Sequence, residues 1–302
     1  MKGTFSLEQK LKKEPRVTIV IVNYNGFSDT VACVRSLENI DYTNYEMIVV
    51  DNASTKEPLP EEKQYLKEHT TYIPSQNNNG FSAGNNIGIR LAMQQGTDYV
   101  LLINGDTTVE PDFLSRLLNA AENQPQTGIV CGRIMFFDDK DRIWYAGGTV
   151  DLKTGNVVHL GWGKSIAEFP GMSGSVTFAT GCLMLIPKEV IEHIGLLSEE
   201  YFLYCEDTDY CCRVLQSGYS IYYCNDAVIY HKISRSVGKA SKLQQYYMTR
   251  NTLYFIQQYG TDWKQGFIST VLRDLKSICR GNLKLSIAVR AYRDMWNGNM
   301  GK

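Results

Sequence analysis

Tyr99-Val100-Leu101-Leu102-Ile103-Asn104-Gly105-Asp106 decides the fold of this chain. Its apolar run suggests a strand covered on both faces, as in a parallel sheet packed between helices. The run stops at Asn-Gly-Asp, and ligands of such sheets bind at the carboxyl edge, where the strands stop. A carboxylate one residue past a flexible glycine can hold a divalent cation against a diphosphate. Magnesium and manganese take hard oxygen ligands, from one or two carboxylates and from the phosphates of the substrate. The same tripeptide is also a good turn former, so the neighbouring segments have to decide between the two readings.

Outward from this strand, the first half alternates. Val17 to Val22 is β-rich and ends at Asn23-Tyr24-Asn25-Gly26, and Val31, Val34 and Leu37 have helical spacing. Tyr45 to Val50 is a second strand ending at Asp51-Asn52-Ala53-Ser54. A polar helix and a short strand, Thr71 to Ile73, follow. Asn77 to Gly84 then opens a helix that runs to about Gln95, and Pro111 is placed to start another in its first turn. Strand and helix in turn predict right-handed βαβ units and a doubly wound, mainly parallel α/β sheet. Asp51, at a strand end, is suited to hydrogen-bond a base or ribose, and equally to cap the next helix. Asn77 to Gly84 places backbone N–H groups where a phosphate is welcome. It is neither G-x-G-x-x-G nor G-x-x-x-x-G-K-[ST], which supports neither a dinucleotide site nor an ATPase.

From Ile129 the pattern turns irregular, with Gly147-Gly148, Gly161 and Gly163 among aromatic residues, as expected of mixed strands and loops covering a site. Acids cluster between Glu199 and Asp209 beside Tyr201-Phe202-Leu203-Tyr204. Carboxylates pressed against apolar walls have raised pKa values and suit a general base, although acids also favour a solvated helix start. His231 follows the strand-like Ala227-Val228-Ile229-Tyr230. An imidazole can supplement carboxylate ligands on manganese, and Ser234, Arg235, Ser236 and Lys239 beyond it can meet a diphosphate.

The 302 residues are 43% hydrophobic and 21% charged, enough for one large domain with appendages or for two. No stretch approaches the roughly 20 apolar residues of a membrane span, and Met1 to Arg16 lacks the apolar core of a secretory signal. Eight cysteines are scattered without C-x-x-C or zinc-ligand spacing, which suits reduced thiols in a cytosolic protein. The net charge is −1, yet from Lys232 onward 13 Lys and Arg face three Asp. Such a basic tail expects an anionic partner. No nucleic-acid motif accompanies it, so nucleic acid is not expected and a membrane surface fits better. Tyr246 to Gln258 reads as a helix. Trp263, Phe267, Val271, Leu275 and Ile278 form one face of a second, and Leu285, Val289, Tyr292 and Trp296 one face of a third. These amphipathic faces suit an anionic bilayer, packing on the body, or a second copy in a homodimer.

With Val20-Ile21-Val22-Asn23-Tyr24-Asn25, Val50-Asp51-Asn52-Ala53-Ser54, Asn79-Gly80-Phe81-Ser82-Ala83-Gly84-Asn85-Asn86 and Leu102 to Asp106 in this order, the chain resembles a known family. Thr180-Gly181-Cys182, Glu206-Asp207-Thr208-Asp209 and His231 to Ser236 extend the match. The likeness is to the inverting nucleotide-sugar glycosyltransferases of family two, with the GT-A fold, over about Val17 to Tyr259, and it leans towards the rhamnosyltransferase-like branch. It implies a Rossmann-like nucleotide-binding half (17–128) and an acceptor half (129–240), preceded by a polar extension (1–16) and followed by helices (241–302). It also implies that Asp51 binds the base or ribose, Asp106 ligates Mn²⁺ or Mg²⁺ with His231 as a further ligand, and Asp207 deprotonates the acceptor hydroxyl. Asn23, Tyr24, Asn25, Asn79, Gly80, Gly84, Asn85, Asn104, Arg235 and Lys239 would complete the donor site, with Thr180, Gly181, Glu206 and Asp209 around the acceptor. Asn104 stands where the commoner D-x-D has its first acid, leaving one negative charge fewer for the metal. The implied donor is dTDP-rhamnose or a UDP-sugar, the acceptor a glycan or lipid-linked hydroxyl in cell-surface polysaccharide synthesis, and the place the cytoplasm or the inner membrane face. A nucleotidyltransferase would share the architecture but needs an early Gly-rich loop with Arg and Lys, and a non-catalytic binder would not need both Asp106 and Asp207.

Overall fold

A computed structural model of the chain describes residues 14–124, 126–232 and 241–302. The elements of the first half alternate as the spacing predicts: β1 (Val17–Asn23), α1 (Phe27–Leu37), β2 (Tyr45–Asp51), α2 (Pro60–His69), β3 (Thr71–Pro74), α3 (Phe81–Gln94) and β4 (Tyr99–Asn104). β1 pairs in parallel with both β2 and β4, and β2 with β3. Val100 to Ile103 are buried, as an unbroken apolar run between two helical layers must be. α3 lies unusually close to the sheet. A Cβ on Gly84 would come within 2.9 Å of Val22 and one on Gly88 within 2.4 Å of Val20, so only glycine permits that approach.

After β5 (Thr107–Val109) the next helix, α4 (Phe113–Asn123), starts two residues later than Pro111 suggests. Pro111 is held outside it, because its carbonyl accepts the backbone N–H of Asp41 at 2.9 Å and Glu110 donates to the Val228 carbonyl. The second half adds β6 (Thr127–Phe136), β7 (Ile143–Tyr145), β8 (Gly148–Asp151), β9 (Asn156–His159), β10 (Gly174–Val176), β11 (Leu183–Pro187), α5 (Lys188–Ile194), α6 (Glu206–Gln216) and β12 (Ser220–His231).

The strand order is β10-β12-β6-β11-β4-β1-β2-β3, with β5 on β12, β7 on β6, and β8–β9 forming a separate hairpin. The sheet is therefore parallel over β3-β2-β1-β4 and mixed beyond. There β11 runs antiparallel to its neighbours β4 and β6, while β12 is parallel to β6. One core cluster runs through both halves, from Val17 to Ile229. The chain ends in α7 (Lys242–Tyr259), α8 (Trp263–Cys279) and α9 (Leu285–Trp296). Ring contacts of Trp263 with Trp296 (6.3 Å) and Phe267 with Tyr292 (6.1 Å) make α8 and α9 an antiparallel pair.

Candidate active site

Parallel pairing aligns the carboxyl ends of three strands: Asn23 is opposite Asp51, and Val22 is opposite both Val50 and Asn104. Above this edge opens a cleft of 1610 Å³. Asn23, Tyr24, Gly80, Asn104, Asp106, Thr180, Gly181, Glu206, Asp207 and His231 all line it, so ten of the residues named from sequence converge there.

Asp106 and His231 come from distant elements and are brought together by backbone pairing. β12 runs antiparallel to β5, setting His231 opposite Thr107, and the Lys232 N–H donates to the Asp106 carbonyl at 2.9 Å. His231 Nε2 lies 3.1 Å from Asp106 Oδ1, both side chains nearly buried. One carboxylate and one imidazole are a donor set that suits manganese. The neighbouring Asn104 Oδ1 is buried and has no hydrogen-bond partner among the described residues. No group of three or more His, Cys, Asp or Glu side chains able to hold a metal occurs among the described residues. With substrate phosphates and water as further ligands, the way magnesium and manganese usually sit on diphosphates, the pair would suit a divalent ion.

Asp207 is placed by a strained approach. Tyr204 and Cys205 both have left-handed backbones, φ 70° and 71°, which cost non-glycine residues of order 1–3 kcal/mol each and gather at functional sites. Two hydrogen bonds from Asn251 on α7 hold the bend: its Nδ2 donates to the carbonyls of Leu203 and Tyr204, each at 2.9 Å. Asp207 Oδ2 then accepts the Gly181 N–H at 3.1 Å, and Oδ1 accepts the Thr208 N–H at 2.7 Å and its hydroxyl at 3.2 Å. Burial raises the Asp207 carboxyl above the ordinary aspartate value, with these donors opposing it. Glu206 beside it is raised well above its ordinary value, first by burial and then by the charge of Asp207. Glu206 Oε2 has no partner among the described residues. Burial shifts Glu206 towards its neutral form, while Asp207 is the one whose hydrogen-bond donors favour the charged form.

Gly181-Cys182 ties the two acidic centres together. Gly181 donates to Asp207, while the Cys182 carbonyl accepts the N–H of Asn104 at 3.2 Å. Burial pushes the Cys182 thiol well up, and the charges of Asp106 and Asp207 both add to that. The two carboxylates thus flank one residue.

Asp51 opens instead into a side pocket of 470 Å³ with Phe27, Tyr72, Lys56, Lys63 and Lys67. It does not cap α2, whose N-cap is Leu59. Its Oδ1 accepts from Asn23 Nδ2 (3.1 Å) and Ser54 Oγ (2.5 Å), and its Oδ2 from Tyr72 (3.2 Å).

Besides Asp51, five named residues are not brought to the cleft. Asn25, at φ 60°, spends its side-chain Oδ1 on the N–H groups of Thr55 and Lys56 and clamps two loops. Asn79 is exposed beside the cleft residue Asn78. Gly84 faces Val22, as described. Asn85 is buried and bonds the Phe81 carbonyl within its own helix. Asp209 joins Arg213 to Tyr259 at 2.9 and 2.7 Å, fastening α6 to α7. Arg235 and Lys239 lie outside the described residues.

The structure adds residues the sequence reading passed over. Lys232 lines the cleft and pairs with Asp29 at 2.7 Å; its position directly after His231 was the available signal. Asn251 gave none, since an amide within a helical pattern announces no partner 48 residues away. Trp144 and Trp162 line the cleft as well.

Residues 18–195, more than half of the chain, match the family profile Glycosyl transferase family 2. The chain is similar to a low-salt glycan biosynthesis hexosyltransferase, Agl10, of Haloferax volcanii: 27% identity over 216 residues, covering 69% of this chain and 64% of that protein. It is also similar to the dTDP-rhamnosyl transferase RfbF of Shigella flexneri, at 26% identity over 255 residues and 79% of either protein. Among solved structures it superposes on GalNAc-T7, determined with UDP, GalNAc and Mn²⁺, with a TM-score of 0.65 at 16% identity. That alignment covers 84% of this chain and 49% of the other, and shows the GT-A fold.

Proposed function

Since the chain belongs to glycosyl transferase family 2, we propose that it transfers a sugar from a nucleoside diphosphate sugar to a hydroxyl of a glycan or lipid-linked acceptor, with inversion, in cell-surface polysaccharide synthesis. One observation carries the reading: Asp207 and the Asp106–His231 pair, chemically different acidic centres, line one cleft at the edge where β1 and β4 end. The rhamnosyl transferase RfbF, matched over 79% of this chain, favours a deoxyhexose donor such as dTDP-rhamnose over a UDP-hexose.

The residues divide the work. Asn23, Tyr24 and the Asp51 pocket receive the nucleoside, and Asp106 and His231 would hold a divalent ion at the diphosphate. When bound, that ion stabilises the negative charge of the leaving diphosphate. Asp207 accepts the acceptor's hydroxyl proton while that oxygen bonds to the anomeric carbon. The carbon–oxygen bond to the diphosphate breaks on the opposite face, its electron pair leaves with the phosphate, and configuration inverts. The bonds from Gly181 and Thr208 aim the carboxylate. Burial shifts Glu206 towards its neutral form, which favours a single charge at the base. The test is a screen of nucleoside diphosphate sugars by donor hydrolysis with anomeric NMR. It should show Mn²⁺- or Mg²⁺-dependent turnover of one donor, released first with the opposite configuration; no turnover of any donor, or retention, would refute it.

For the tail, the observations favour an anionic membrane surface. Ile268, Leu272 and Leu275 on α8 and Leu285, Val289 and Trp296 on α9 are 50–70% exposed. Within each helix they share one stripe. Exposed Lys264, Lys276, Arg280, Lys284 and Arg293 lie along the same hairpin, supplying the charge that anionic lipid complements. No described helix is long and apolar enough to cross a membrane, so the hairpin would lie in the interface and bring the cleft to lipid-linked acceptors.

A further inference from the structure

The wall of the cleft beyond His231 is aromatic, and nothing in the transfer chemistry above uses it. Trp144 meets His231 edge-on at 4.7 Å between ring centres. Trp162 packs against Phe136, Trp144 and His159 at 5.4, 5.8 and 5.8 Å. His159 stacks in turn on Phe178, two residues before the Thr180-Gly181 corner that holds Asp207. The aromatic wall thus runs from the Asp106–His231 pair towards the base.

Trp162 stands out within it. It remains 51% exposed although three rings pack on it. Its loop presents it rigidly: Gly161 and Gly163, both at φ 71°, flank it, a backbone that L side chains rarely adopt. The strand-like rungs Leu160 N–H to Gly147, Gly163 N–H to Ile143 and Ile143 N–H to Lys164 fix both ends at 2.8–2.9 Å, and Arg142 Nη1 binds the Gly163 carbonyl at 2.8 Å. Asp138 and Asn156 line the same cleft and supply polar groups there. A flat, exposed, fixed indole in a cleft that also carries carboxylate and amide groups suits a pyranose. The apolar C–H face of the sugar covers the ring and its hydroxyls turn to the polar groups of the cleft. This wall belongs to β6, β7 and the β8–β9 hairpin, not to the strand ends β1, β2 and β4 that form the nucleotide edge.

We propose that Trp162 is the stacking platform of a saccharide subsite that holds a pyranose ring of the acceptor glycan, a role that rests on the proposed glycosyl transfer. The subsite selects acceptors that carry a sugar ring in reach of the platform.

The test is ligand-observed saturation-transfer NMR on the full chain with Mn²⁺ and UDP or dTDP. The probes are methyl pyranosides of rhamnose, galactose, glucose and N-acetylglucosamine. At least one glycoside should bind the wild type, Trp162→Ala should weaken it roughly tenfold, and Trp162→Phe, which keeps a flat ring, should restore most of the loss. Unchanged nucleoside diphosphate affinity reports that the variants are folded. Glycoside binding equal in wild type and Trp162→Ala, or no binding of any glycoside to a nucleotide-loaded wild type, would overturn the subsite. A wild type that binds neither nucleoside diphosphate would instead overturn the proposed function.

Discussion

Asn251→Ala isolates the claim that α7 sets the position of the base. The Asn251 side chain is fully buried, and its amide makes both hydrogen bonds that hold Leu203 and Tyr204 at the bend where Tyr204 and Cys205 are left-handed. Truncation leaves two carbonyls without their donor, each costing about 1–3 kcal/mol when buried. Both carbonyls are only part-buried, so the lower half of that range applies, about 2–4 kcal/mol in total. The loss also strips the Arg250 Nε of its acceptor at 3.0 Å. At roughly 2–4 °C per kcal/mol for a domain of this size, the melting temperature should fall by about 4–16 °C. With the brace gone, Tyr204 and Cys205 can relax towards ordinary backbone angles and carry Asp207 away from Gly181. A displacement of about 1 Å costs on the order of a hundredfold in rate, so kcat should fall at least tenfold below the melting transition. Nucleoside diphosphate affinity, set at the other edge of the cleft, should stay within about threefold. Calorimetry, donor turnover and nucleotide titration on one preparation give all three values. A variant that melts lower but turns over donor at the wild-type rate would refute the positioning argument and leave Asn251 a matter of stability alone.

Asp106→Ala should weaken UDP or dTDP binding in Mn²⁺ by at least tenfold and change little in EDTA; equal loss under both conditions would make Asp106 structural, and His231→Ala should follow the same pattern more weakly. Burial raises the Asp207 carboxyl, so the acid limb of the kcat/KM profile should lie above the ordinary aspartate value of 3.8, and a limb at or below it would count against the assignment. Glu206 is raised in the folded state, so its stability contribution is present below 4.5, the ordinary glutamate value, and is lost as pH rises towards its folded value. Glu206→Gln should therefore gain stability over wild type at pH 7 and not at pH 4, as thermal melts will show. The full chain should co-sediment with anionic vesicles, less so in high salt, each basic residue near the surface adding on the order of 1 kcal/mol. Truncation after Tyr259 should abolish binding, whereas a salt-independent dimer that ignores vesicles would assign the hairpin to a second copy.

The parallel half was legible because its signals are local. Ile19 to Val22, Met47 to Val50 and Val100 to Ile103 are unbroken apolar runs, and the polar residues after each mark the edge where ligands bind. The mixed half was not, since β12 joins β6 across about 90 residues, and pairing at that separation leaves no period in the chain. Individual polar residues were readable as to place more than as to role. Asn25, Asn85 and Asp209 are of the same types as the cleft residues Asn23 and Asp207, and only their partners in space decide between clamp and site. His231 could be suspected from its strand, but its nearness to Asp106 depends on a ladder between β5 and β12 that no spacing announces.

Asp207→Asn tests the central claim most directly. The amide keeps the size of the carboxylate and cannot accept the acceptor's proton. Donor turnover should fall by about a hundredfold or more, while the Kd for UDP or dTDP with Mn²⁺ stays within threefold of wild type. Turnover within tenfold of wild type, in a folded variant that binds nucleotide normally, would contradict the account.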